Sequence, residues 1–220
     1  MTKEKAIEQI KRWLLLCVGL ATVALGVAFS IKGGLGTSPI SSLPYVLSAF
    51  TPMSVGVATI LLNVTLVLLQ ILLLRKKYDP IQLIQLPIAL AFGTLTDFSV
   101  WLLGGLSPSS YFMQVVFCGI GILLVGIGVS LEVTANVATL AGEGMVLAIC
   151  RVFPVKFSNA KVGVDGTLVL LACIFSLVLG GRIVGVREGT VAAAILVGLI
   201  ARQVNKPMQR FAQQHLETVV

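Results

Sequence analysis

Asn63-Val64-Thr65-Leu66-Val67-Leu68-Leu69 returns later in the chain as Asp165-Gly166-Thr167-Leu168-Val169-Leu170-Leu171. The two stretches lie 102 residues apart, and at that shift the halves align without a gap from Leu25 to Gln70. Gly26, Val27, Thr37, Pro52 and Ala58 also meet identical residues, at 128, 129, 139, 154 and 160. In a chain rich in Leu, Val and Gly, chance gives identity at roughly one position in ten. The unbroken run and the matched proline lift this alignment above that level. Past the middle of the chain the register drifts, and Gly93 corresponds to Gly198. The chain reads as a duplication.

What is duplicated is apolar. Of 220 residues, 57% are hydrophobic and only 11% are charged, against about 25% charged in an ordinary soluble domain. The mean hydropathy is +1.01. Long apolar runs fill almost everything between Trp13 and Val204, leaving no room for a large soluble domain. The net charge of +7 does not point to nucleic acid, because the basic residues sit at the ends of apolar runs. That is where membrane topology places them. Cys17, Cys118, Cys150 and Cys173 lie in or beside apolar runs with no CxxC pair, and so read as small buried hydrophobes. The single histidine, His215, is near the C-terminus, which leaves none for metal binding or catalysis within the apolar region.

Six segments are long enough to cross a bilayer: 13–31, 55–74, 81–103, 112–132, 160–180 and 189–204. A crossing needs about 20 apolar residues. The first is read as a retained helix rather than a signal peptide, because it is long for a signal core. Two shorter segments, 36–52 and 138–153, open with Gly, Ser, Thr or Pro and are short for a crossing. They suit re-entrant or broken helices, whose free backbone groups must face protein or a wet cavity. If they re-enter without crossing, all of the 16 basic residues except Lys32, Arg182 and Arg187 fall on the cytoplasmic side. If they cross, Arg75, Lys76 and Lys77 move outside and the positive-inside bias shrinks.

The expected fold is therefore all-α transmembrane, with six membrane-spanning helices plus two re-entrant or broken short helices. Residues 1–12 form a cytoplasmic segment, 13–103 the first repeat, 104–111 an extracytoplasmic loop, 112–204 the second repeat, and 205–220 a cytoplasmic tail. Three crossings per repeat is an odd number, so the repeats have inverted topology. That arrangement is typical of secondary transporters, whose sites lie at discontinuous helices near the midplane.

The first short element is Lys32-Gly33-Gly34-Leu35-Gly36-Thr37-Ser38-Pro39. Its glycines permit unwound backbone and its proline suits a first helical turn. The free N–H groups there would donate to an anion or a carbonyl; a tight extracellular turn is the plainer alternative. No Gly-Lys-Ser/Thr follows, so it is not a P-loop. The matching element holds Asn136, Thr139 and Glu143. An acid there is costly unless hydrated, paired or protonated. Glu143 is open to cation binding, to proton coupling, or to pairing with Arg151. Asn63 and Asp165 are counterparts near the middle of their helices, Asp165 being alternatively a partner of Lys161. The candidate binding site is Gly34, Gly36, Thr37, Ser38, Asn63, Asn136, Thr139, Glu143 and Asp165, with no metal and no cofactor implied. Glycines 119, 121, 126 and 128, and Ala21, Ala24 and Ala28, read instead as close helix packing.

These motifs resemble the bacterial YczE/YitT-like integral membrane proteins. The residues that carry the resemblance are Gly34-Leu35-Gly36-Thr37-Ser38-Pro39, Gly142-Glu143-Gly144, Asp165, Gly180-Gly181, Gly189-Thr190, Ala192-Ala193-Ala194 and Gly198. Where that family usually has an aspartate after the Gly-Thr pair, this chain has Ser38. The resemblance implies a multi-pass membrane protein and no particular substrate.

The leading expectation is a small secondary transporter or channel for a small polar solute or ion. It would sit in the bacterial inner membrane with both termini cytoplasmic. The alternative is a non-transporting binding or regulatory subunit, such as the substrate-capture component of a larger importer. An enzyme is not expected, since Asp97 and Asp165 lack a Gly-x-Gly-Asp setting and no Ser-His pair is available. The partners are the lipid bilayer and the solute; a homo-oligomer stays open and nucleic acid is not expected. The repeat also suggests an ion pair between Glu132 and Arg202 on neighbouring helices, with Ser30 and Asp97 as its polar equivalent.

Overall fold

The computed structural model describes the backbone of residues 3–216 and the side chains of residues 6–205. Among the described residues the fold is all-helical, with eight α-helices, two short 3-10 turns and no strand. The helices are α1 (Lys3–Gly33), α2 (Pro39–Phe50), α3 (Val55–Leu74), α4 (Gln85–Leu102), α5 (Tyr111–Ala135), α6 (Ala141–Val152), α7 (Phe157–Gly180) and α8 (Glu188–Leu216). Five are long and apolar enough to cross a membrane: Ala6–Gly33, Val55–Lys77, Pro80–Leu102, Tyr111–Ala135 and Phe157–Gly180. The expected crossing at 189–204 falls in α8, which is not among the five. Its apolar stretch ends at Arg202-Gln203, early for a full span.

Helix ends follow local chemistry. Ser54 caps α3 by accepting from Val57 N, and Ser110 caps α5 by accepting from Met113 N. Pro39 starts α2. Gly181 at φ 64° ends α7, and Asn136 at φ 48° ends α5. Two ends differ from expectation. α1 begins at Lys3, so the polar segment ahead of Trp13 is helical, and α8 carries the expected tail on to Leu216. Once an apolar span has nucleated a helix, each added residue gains a backbone bond at little cost. The Glu8–Arg12 pair at 2.8 Å supports that extension on α1.

The helices form two groups. α1 packs on α4 and α5, and α5 also packs on α8; α2 packs on α3 and α7, while α6 packs on α3 and α7. Contact between α3 and α4 joins the groups. The first group closes over Leu16, Leu20, Val23, Val27, Ile88, Phe92 and Val125. The second closes over Leu43, Val46, Leu62, Leu66, Val67, Leu168 and Ala172.

Between α1 and α5 the backbones touch. A Cβ on Gly26 would stand 2.8 Å from Gly121 O and from Val125 N. A Cβ on Gly128 would stand 2.8 Å from Gly19 O and from Val23 N. As numbers rise along α1 they fall along α5, so the helices run antiparallel. Each contact turns into the other when every residue is exchanged for its counterpart 102 positions away. Gly26 and Ser30 also flank Gly121, so the expected packing role of Gly121 and Gly128 holds. Gly126 meets Ile200 of α8, whereas Gly119 faces open space. Ala24 and Ala28 are fully buried, Ala21 less so. Gly56 and Gly93 likewise bring α3 and α4 together, but Gly198, the counterpart of Gly93, has nothing near it.

Candidate functional site

The first turn of α6 is built from Ala141-Gly142-Glu143-Gly144, small residues that let neighbours close in. A Cβ on Gly144 would lie 2.8 Å from Gln85 Nε2 and 2.9 Å from Gln70 Oε1. Both amides are buried. Gln70 Nε2 donates to Ala141 O at 3.0 Å and to Gln85 Oε1 at 3.2 Å, so the ends of α3 and α4 are tied to the start of α6. On the α7 side, Lys161 Nζ pairs with Asp165 Oδ1 at 2.9 Å. Lys161 and Asp165 are the charges that act on Glu143. Arg151, considered as a partner for Glu143, is exposed and forms no ion pair among the described residues. Asp165 takes the alternative part expected of it, as the partner of Lys161.

The first turn of α2 is held by the connection from α7 to α8. Gly36, at φ 102°, packs so closely on Thr190 and on Arg187 N that a side chain would collide with both. Thr37 N donates to Gly185 O at 3.2 Å, and Gly189 N donates to Leu35 O at 2.8 Å. Arg187 Nη1 donates to Gly34 O at 3.2 Å. Ser38 Oγ donates to Ser41 Oγ at 3.1 Å. Thr37 is 1% exposed, and its Oγ1 has no partner among the described residues.

The two first turns meet, since the Ile40 side chain fills the space beside Gly142. Those residues are counterparts in the repeat. The expected site therefore divides. Gly34, Gly36, Thr37 and Ser38 gather at the start of α2, Glu143 stands in the first turn of α6, and Asp165 lies on α7 paired with Lys161. Asn63 is buried on α3 and donates to Thr59 O of its own helix at 2.8 Å. Asn136 and Thr139 are exposed in the α5–α6 connection, where Asn136 serves as the left-handed helix cap. Gln70 and Gln85 are not singled out from sequence, and Arg187 and Thr190 enter there only through topology and the family resemblance, not as site residues. The signal for the glutamines was an amide inside or at the edge of a leucine-rich run, which in a membrane must find a partner. No group of three His, Cys, Asp or Glu side chains able to hold a metal occurs among the described residues.

The expected Glu132–Arg202 pair is not formed. α5 and α8 are neighbours, and so are α1 and α4. Yet Glu132 is buried toward α1, beside Gly19, and Arg202 is exposed. The glycine seam turns the Glu132 face of α5 onto α1 and away from α8. Thr134 Oγ1 and Asn205 Oδ1, at 3.1 Å, join α5 to α8 instead. Ser30 donates to Gly26 O, and Asp97 accepts from Ser54 Oγ at 2.5 Å and Gly56 N at 2.6 Å, so they do not pair either.

Residues 10–206 match the model of DUF6198, a family of unknown function. An uncharacterized protein of Haemophilus influenzae is 26% identical over 201 residues, covering 88% of this chain and 83% of that protein. YyaS, an uncharacterized protein of Bacillus subtilis, is 26% identical over 189 residues, covering 84% of this chain and 92% of its own length. YczE, an uncharacterized membrane protein of Bacillus subtilis, is 27% identical over 196 residues, covering 89% of this chain and 86% of its own. No solved structure matches. With the family model covering nearly the whole chain and a YczE-like relative named as a membrane protein, this chain is a membrane protein of the DUF6198 family.

Proposed function

We propose that this protein is a secondary transporter or channel for a small polar solute or ion. In this reading it sits in the bacterial inner membrane as two inverted repeats of three crossings and one re-entrant helix each. α8 supplies the sixth crossing, and both termini are cytoplasmic. The observation that carries the reading is the meeting of the first turns of α2 and α6 at the counterparts Ile40 and Gly142. The α1–α5 seam supports it, because its contacts map onto themselves under the same exchange of residues. Two short helices that start side by side at an axis relating the halves are the usual place for a transported solute. The acid Glu143 stands at one of these starts and the sealed hydroxyl of Thr37 at the other. An intramembrane acid is a functional residue by default. Gly34, Gly36, Thr37, Ser38, Asn63, Glu143 and Asp165 are the proposed solute-facing set.

Topology tests the frame. In a background without the four native cysteines, Ser107→Cys should react with an impermeant maleimide on intact cells. Lys76→Cys should react only after the membrane is opened. Reaction of both from one side would remove the inverted repeat.

A melting screen of purified protein against small metabolites and ions tests the site. A ligand at a hundredfold excess over its Kd stabilises the folded state by about 2.7 kcal/mol. The shift should vanish in Glu143→Gln. A ligand whose shift is unchanged by Glu143→Gln binds elsewhere and would refute this site.

A further inference from the structure

Glu132 is 5% exposed, and its Oε1 has no hydrogen-bond partner among the described residues. It stands on α5 one turn before Ala135 and two turns after Val125. That face joins the apolar cluster of Leu16, Leu20 and Ile88. Opposite it on α1 is Gly19, where a Cβ would come within 3.0 Å of Glu132 Cγ, so the glycine makes the room that the acid fills. An ionised carboxylate sealed in such a place loses its hydration and receives nothing in return. Natural proteins retain that arrangement mainly where the acid has work to do.

The charges around it do not neutralise it. From α1, Arg12 is engaged by Glu8 at 2.8 Å and leans toward Ala135 O at 3.5 Å. From α8, Arg202 is exposed. Glu143, in the first turn of α6, is itself an acid and brings no positive charge. Behind Glu143 stand Lys161 and Asp165, already paired with each other. On α4, the polar residue near the α6 start is Gln85, an amide that carries no charge.

We propose that Glu132 is a proton-binding site within the membrane domain. Glu132 takes the proton from hydronium, a new O–H bond forming on the carboxylate and water being left. The reverse step returns the proton to water. The use of the proton as a coupling ion rests on the transport reading; proton binding by Glu132 does not.

Infrared spectra of the purified protein in lipid, recorded as pH is stepped from about 5 to about 9, read the site without any solute. Buried acids in proteins titrate across this range. Wild type should carry the carbonyl band of a protonated carboxylic acid in an apolar setting, fading as pH rises. Glu132→Gln should lose that band. Glu143→Gln should keep it. A Glu132→Gln spectrum identical to wild type, or loss of the band in Glu143→Gln, would overturn the site. If Glu132→Gln does not fold, Glu132→Asp keeps the acid in a changed position, and a band unshifted in frequency would count against the proposal. A titrating Glu132 in a protein that moves no solute would refute transport and leave the proton site standing.

Discussion

Gly26→Val should cost the folded protein about 3 kcal/mol or more, lowering the ratio of folded to unfolded chains over a hundredfold. In lipid no hydrophobic force draws helices together, so close backbone packing carries much of the association. At Gly26 the atoms in the way are Gly121 O and Val125 N, each 2.8 Å from where a Cβ would sit. Backbone atoms cannot turn aside as a flexible side chain can, so valine must push α1 off α5 along the seam. Gly128→Val should do equal damage, since its obstacles, Gly19 O and Val23 N, lie at the same 2.8 Å. Gly119→Ala on α5 is the control. Nothing lies within 4 Å of its added methyl, and the alanine favours the helix by up to about 1 kcal/mol. Melting temperatures and yields of monodisperse protein should be highest for Gly119→Ala and similarly low for the two valine variants. Gly26→Val as stable as Gly119→Ala would mean that α1 and α5 do not meet at these glycines.

Which parts of this were legible in the sequence follows from the physics of each. The long apolar helices announce themselves, because a bilayer demands an apolar run of fixed length. The span 55–74 coincides with α3 to the residue, since Ser54 caps one end and Arg75 breaks the other at φ 49°. The close-packing role of Gly121 and Gly128 was readable from the helix-spaced small residues. The facing of Glu132 was not. A helix apolar almost all round carries no pattern telling its inner face from its lipid face. α5 could therefore be placed beside α8 correctly while its acid was assigned to the wrong partner. Gln70 and Gln85 escaped notice for another reason: an amide costs less at membrane depth than a charge and stands out less. What makes them matter is convergence from separate helices on Gly144, which only three dimensions supply.

Lys161→Met should destabilise the protein by roughly 1–3 kcal/mol and should be the most damaging single change at the α6–α7 contact. Breaking a fully buried pair by removing one partner costs about 3–5 kcal/mol. Side chains 34% and 19% exposed keep part of their hydration, which lowers that figure. The lysine answers two acids, since it pairs with Asp165 at 2.9 Å and also acts on Glu143. Without it, both carboxylates lack a cation and repel each other. Asp165→Asn should be milder, because Lys161 then still serves Glu143. The double change Lys161→Met with Asp165→Asn should fall between, having removed the repulsion along with the attraction. Acidification should recover part of the loss in Lys161→Met, where protonation removes the unbalanced charges, and little in Asp165→Asn. Melting curves of the three variants across pH give the order directly. If Asp165→Asn proved the more damaging single change, Glu143 would not be drawing on Lys161. The acid at the start of α6 would then have to be balanced by something other than α7.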